Sequence, residues 1–144
     1  ATNQVAGAVL SPPFDDKAVS SGYKKFLFLG DLADIPYVGL FTSQSEIRNS
    51  RDRIRKTISA VLDAVAWQRA NRAETIKIIA ARFKISANEA EHSYETIIGI
   101  LSLDGAMDLK KVRGYLTLLR EERPVPENLD AEKLVDFSML PLAR

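Results

Sequence analysis

Val5-Ala6-Gly7-Ala8-Val9-Leu10, running into Ser11-Pro12-Pro13-Phe14, is the stretch on which the reading of the fold turns. Six small or apolar residues in a row are too few for a core helix and suit a strand buried on both faces. Two consecutive prolines cannot donate to a ladder, so the strand is expected to end at Ser11-Pro12-Pro13. Asp15 to Ser21 then reads as a short helix, with Gly22 as its stop. Lys25-Phe26-Leu27-Phe28-Leu29 is a second apolar run, broken by Gly30-Asp31, and Ile35-Pro36 forces an extended or turn backbone. Tyr37-Val38-Gly39-Leu40-Phe41-Thr42 is a third, β-rich run. Three isolated strands make a poor independent sheet. They are therefore expected to be the end of a sheet begun elsewhere. A first residue that is Ala rather than Met fits a piece of a longer chain, or a leader that was removed.

From Ser43 onward the pattern is helical. Ser43 or Ser45 can cap a short turn through Arg48. From Asp52 to Ala70 the apolar positions Ile54, Ile58, Val61, Leu62 and Val65 form one helical stripe. Asn71 marks a break, and Ala73 to Phe83 resumes with Ile76, Ile79, Ala80 and Phe83 on one face. Ser86 with Glu89 is a capping box. The helix it starts carries Ala90, Tyr94, Ile97, Ile98 and Leu101 and closes at Asp104-Gly105. Asp108 caps a further helix with Leu109, Val112, Leu116 and Leu119 inward, ended by Pro124 and Pro126. A last short helix is expected over Asp130 to Asp136.

The bulk numbers exclude whole classes of function. The chain has 144 residues, 20 Lys+Arg against 19 Asp+Glu, a net charge of +1, and 46% hydrophobic residues. That is the balance of a folded domain rather than a disordered chain. Nothing in it would draw a phosphate backbone, so no nucleic-acid partner is expected. There is no cysteine, which removes disulfides, thiolate catalysis and Cys-ligated metals. His92 is the one histidine, so His-cluster metal sites are out as well, and no metal or cofactor site is expected.

The features that could carry chemistry each have a plain structural alternative. Arg48, Arg51, Arg53, Arg55 and Lys56 place five cations within nine residues. They suit an acidic partner, or simply the solvated outer face of a helix. His92 could act as a general base, but it sits mid-helix between Glu91 and Glu95 and reads as a surface histidine. Asp15-Asp16 and Asp31/Asp34 are the nearest approaches to carboxylate pairs, the first fitting helix capping. No catalytic residue is therefore expected, and Trp67 reads as core or interface packing. Ser11-Pro12-Pro13-Phe14 offers a hydroxyl, a rigid turn and an aromatic ring between a strand and a helix start, where open α/β folds bind ligands. The same residues also suit a rigid turn with no further role.

Several stretches together resemble one family. They are Val5 to Phe14, then Ala18…Gly22-Tyr23-Lys24, Leu40-Phe41-Thr42, Ala64…Trp67-Gln68-Arg69-Ala70-Asn71-Arg72 and Ser102-Leu103-Asp104-Gly105. Their order and spacing are similar to the C-terminal half of ABC-transporter substrate-binding proteins of the nitrate/sulfonate/taurine and thiamine-precursor type. The chain departs from that pattern at Gly7, where Asp or Ala is common, and at Arg72-Ala73, where Pro-Glu commonly follows the Asn.

The resemblance implies an α/β, helix-rich chain: the C-terminal portion of a type II periplasmic-binding, two-lobed fold. Residues 1–36 would be the end of the second lobe and the return crossover. Residues 37–144 would be the C-terminal, mainly helical part of the first lobe. The function implied is the solute-binding component of an ABC importer, not an enzyme, in the periplasm or otherwise outside the cytoplasm. It would take a small anionic, aromatic or heterocyclic ligand in an interlobe cleft, contact it through Ser11, Pro12, Pro13 and Phe14, and pass it to a membrane permease. An isolated fragment of that kind is expected to self-associate through its apolar strands. The alternative is a small helical interaction domain that uses the basic Arg48–Lys56 face. A third reading, an enzyme of thiamine-pyrimidine synthesis on the same fold, would need His and Cys residues that this chain lacks.

Overall fold

The computed structural model describes residues 5–36 and 38–141. Its elements, in chain order, are α1 (Phe14–Ser20), a 3-10 turn (Leu29–Asp31), α2 (Gln44–Asn49), α3 (Arg51–Ala70), α4 (Arg72–Phe83), α5 (Ala87–Ile100), α6 (Leu109–Glu122) and α7 (Ala131–Leu134). No strand forms among the described residues, so the expected α/β fold, with its two-lobed sheet architecture, is corrected to an all-helical one.

The reason lies in what a strand requires. Val5–Leu10, Lys25–Leu29 and the third run have β-like composition, but a ladder needs a second segment aligned at hydrogen-bonding distance, and composition cannot supply it. Pro12, Pro13 and Pro36 each remove a donor where one could be recruited. Phe26 and Phe41 remain 96% and 94% exposed, and the second run ends in the 3-10 turn at Leu29. Tyr37, the first residue of the third run, lies outside the described residues.

The helices start and stop where local chemistry dictates. The Ser43 hydroxyl accepts from the Glu46 N–H at 3.2 Å and starts α2. Asp108 and Asp130 cap α6 and α7 by accepting from the N–H groups of Lys110 and Lys133. Gly22, at φ 89°, ends α1 in a Schellman turn: Tyr23 N–H reaches Ala18 carbonyl and Gly22 N–H reaches Val19 carbonyl. At the start of α5 the Ser86 hydroxyl accepts from Glu89 N–H, and the Glu89 carboxylate accepts from both the Ser86 N–H at 2.8 Å and its hydroxyl at 2.7 Å. The Ser86 hydroxyl and then its N–H, with Ser20 and Lys17 adding to them, hold the Glu89 carboxyl below the ordinary glutamate range.

Ser86→Ala is therefore expected to destabilise α5 by about 1 kcal/mol. Because the Glu89 value is depressed on folding, its contribution is present above the unfolded-state value and lost as pH falls through the folded one. The difference between wild type and Ser86→Ala should accordingly shrink in acid. Urea titrations at neutral and acid pH check both points.

The chain divides into two compact units. One comprises the residues up to Leu27 together with Trp67–Leu101. Here α4 and α5 form a helical hairpin, joined through Lys84 in a left-handed conformation at φ 53°. Ala90, Ser93 and Tyr94 of α5 and Thr75 of α4 are buried, and α1 packs on α5. Each buried hydroxyl is satisfied: Tyr94 donates to Gln68 carbonyl at 3.2 Å, Thr75 to Asn71 carbonyl at 3.0 Å and Ser93 to Glu89 carbonyl at 2.8 Å.

The other unit comprises Phe28–Ala66 and the residues from Ser102 on. Its core is Val112 and Leu116 of α6 against Ala131 of α7, flanked by half-buried Met107, Leu109, Val125, Leu129 and Val135. Gly105 sits at φ 80°, and a Cβ there would meet Leu140 Cδ2 at 2.8 Å. The positive φ favours glycine in the Ser102–Gly105 turn, and any larger residue would also have to displace the Leu140 methyl. Of the α3 stripe, Val65 is buried, Ile54, Ile58 and Leu62 are half-buried, and Val61, expected inward, is exposed.

Candidate functional site

The turn Ser11-Pro12-Pro13-Phe14 leads directly into α1, and its rigidity comes from two consecutive proline rings, each of which fixes its own φ. Pro13 is buried, Pro12 half-buried, and Ser11 and Phe14 are exposed. The Phe14 N–H donates to Ser11 carbonyl at 2.9 Å, so the turn closes on itself and that amide is not open to a ligand. The Phe14 ring stands edge-on to Phe83 of α4, with centroids 6.2 Å apart and planes at 90°. That is a favourable aromatic geometry, and it leaves part of the Phe14 ring in solvent. The sequence-predicted site thus forms one contiguous, shaped turn. Phe83 is the member that sequence reasoning missed, because nothing local connects residues 14 and 83.

Beside the turn lies a carboxylate cluster. Asp15 and Asp16 fall in the first turn of α1, where a negative charge suits the helix dipole, but neither caps the helix through its side chain. Asp15 Oδ2 pairs with Lys25 Nζ at 3.3 Å, while Asp15 Oδ1 is buried and has no hydrogen-bond partner. Asp16 Oδ1 lies 2.5 Å from His92 Nδ1, and its Oδ2 accepts from the Ser93 hydroxyl at 3.3 Å. A carboxylate only accepts, so Nδ1 carries the proton in this pair.

His92 is an exposed surface histidine, as expected, and its ring is oriented by Asp16. Asp16 stands 76 residues from it in sequence, which is why local spacing could not reveal the pair. The arrangement is an Asp–His dyad and not a nucleophilic triad. The Ser93 hydroxyl is placed at the carboxylate and not at Nε2, and it also donates to Glu89 carbonyl. Among the described residues no group of three or more carboxylates and histidines is arranged to hold a metal ion.

The basic segment is largely engaged. Arg53 pairs with Glu46 and with the Ser50 hydroxyl, Arg55 lies 3.5 Å from Asp52, and Arg51 reaches the Ser138 hydroxyl at 3.5 Å. Exposed pairs of this kind contribute little to stability, but they dilute the positive field. Arg48 and Lys56 are left on the surface. Trp67, expected in a core or interface, is 45% exposed. Elsewhere, Arg72 bridges Glu91 and Glu95, one turn apart on α5, at 2.6 Å each and lies over the Tyr94 ring. The Glu91/Glu95 spacing signals an acidic face on α5, but not which cation meets it.

No helix among the described residues is long and apolar enough to cross a membrane. In comparisons with known proteins, no family model, curated protein or solved structure matches the chain.

Proposed function

We propose that this chain is a solute-binding component of an ABC importer, working outside the cytoplasm and delivering a small molecule to a membrane permease. The reading keeps the function implied by the motif resemblance without its two-lobed sheet fold. The observation that carries it is the turn itself: a hydroxyl at Ser11 and a partly exposed ring at Phe14, held on either side of a buried Pro13 and braced by Phe83. Such a turn can bind and orient a planar ligand without bond chemistry.

The neighbouring Asp15 and Asp16 narrow the ligand class. Two carboxylates close to the turn repel an anion and favour a neutral heterocycle with N–H donors. Of the anionic and heterocyclic ligands considered, the heterocycle is thus the better fit. The exposed apolar runs around Phe26 and Phe41 favour docking to further protein or self-association of the isolated chain.

Native mass spectrometry of the chain with an aminopyrimidine and with an alkylsulfonate tests the reading. The aminopyrimidine should bind in preference. The double variant Ser11→Ala, Phe14→Ala should weaken it at least about tenfold, equivalent to about 1.4 kcal/mol, while Phe83→Ala, which removes the same ring contact but neither proposed ligand group, should lower the melting transition as much and weaken binding less. Equal affinity in the double variant would leave the turn as scaffolding.

A further inference from the structure

The geometry points to antiparallel self-pairing of α3, in which the Thr57–Ala60–Ala64 face of one copy meets the same face of a second and Lys56 of each pairs with Asp63 of the other. Arg53, Lys56, Thr57, Ala60, Val61 and Ala64 lie together along one open, nearly flat face of this helix. All six are exposed, Val61 against its apolar character. Positions 57, 60 and 64 follow the three- and four-residue spacing of a helix-pairing seam. Their side chains are small, which suits an approach near the close end of the usual 8–10 Å between helix axes.

The flanking charges select both partner and direction. Lys56 and Asp63 are seven residues apart, so they lie on the same flank of the seam, displaced by only about 20°. Both are exposed, and neither has an ion pair among the described residues. In an antiparallel pair centred on Ala60, like flanks face each other. Lys56 then stands beside Asp63 of the second copy, and two-fold symmetry repeats the contact. A parallel pair would set the same charges against Ile54 and Val61 and gain nothing. Arg53 is held by Glu46 and Ser50, which leaves Lys56 as the cation available to a partner here. A helix face that carries its own complement at a two-turn offset is suited to a second copy of itself. This surface is separate from the Ser11–Phe14 turn and does not depend on the transport reading.

The test is sedimentation velocity of the full chain over a range of concentrations, with Lys56→Glu, Asp63→Lys and the double variant. Each single reversal should weaken association at least fivefold, and the double variant should restore it, because the two ion pairs re-form with their signs exchanged. All four proteins should keep the same circular dichroism, since both side chains are exposed. In parallel, Ala60→Cys should give a disulfide-linked dimer under mild oxidation, whereas Ala66→Cys, on the opposite side of α3, should not. The chain has no other cysteine to confuse the result. Three outcomes overturn the proposal: a monomer at every concentration, association that ignores the single reversals and so belongs to the apolar runs, or cross-linking that is equal at positions 60 and 66.

Discussion

Leu116→Ala is expected to lower the unfolding free energy of the unit that contains it by about 3 kcal/mol. Leu116 is 3% exposed on α6 and is the largest buried aliphatic side chain of a core whose other buried members are Val112 and Ala131. The surrounding side chains, from Met107 to Val135, are only half-buried and cannot all collapse into the space left behind. A core this small gives one leucine a large share of the total, set against the 5–15 kcal/mol of about one ordinary domain. Leu118→Ala on the same helix, where the residue is 43% exposed, should cost under about 1 kcal/mol. Urea denaturation of the two variants measures the difference. Equal losses would mean that α6 and α7 are not held together by this contact.

The second large effect is expected at Ala90. Its exposure is 0%, on the helix that forms the α4–α5 hairpin. Ala90→Phe must place a ring where only a methyl group fits. Overpacking of that size costs about 3 kcal/mol and forces the two helices apart. The buried hydroxyls of Tyr94, Ser93 and Thr75 would lose their alignment in the same movement, which adds to the loss. Near-ultraviolet circular dichroism and thermal unfolding check the outcome, with Ala90→Ser as the variant that preserves volume. A normally stable Ala90→Phe protein would show that the hairpin is loosely packed.

What could be read from sequence divides by the range of the interaction. The starts of α5, α6 and α7 were legible in Ser86 with Glu89, Asp108 and Asp130, the start of α2 in one of two candidate serines, Ser43 and Ser45, and the end of α1 in Gly22. Each depends on hydrogen bonds within a few residues. The burial of Val112 and Leu116 followed from helical periodicity. Val61 did not follow it: the stripe contains it, but burial is decided by what the rest of the fold places opposite. The three apolar runs failed for a related reason. Val5–Leu10 and Lys25–Leu29 have the residues that strands prefer, yet pairing is non-local and none forms here.

The candidate site divides in the same way. The rigidity of the turn was written in Pro12-Pro13, and the exposure of Ser11 was in line with its place in a loop. The Phe14–Phe83 and Asp16–His92 contacts were not legible, because each joins segments about seventy residues or more apart. A reading from spacing alone therefore found the turn and missed the groups that brace and flank it.

Arg69, in the last turn of α3, donates to the carbonyls of Ile98 at 2.7 Å and Leu101 at 3.0 Å, at the far end of α5. Those carbonyls belong to the set a helix terminus leaves unsatisfied, and here a side chain 29 and 32 residues away answers them. Helix ends ordinarily fray independently of one another, each with its own small opening free energy. Through one guanidinium these two ends become a single cooperative patch. Neither terminus can open without withdrawing hydrogen bonds from the other. In the exchange of backbone amides with solvent, the closing turns of α3 and α5 should therefore lose protection as one event.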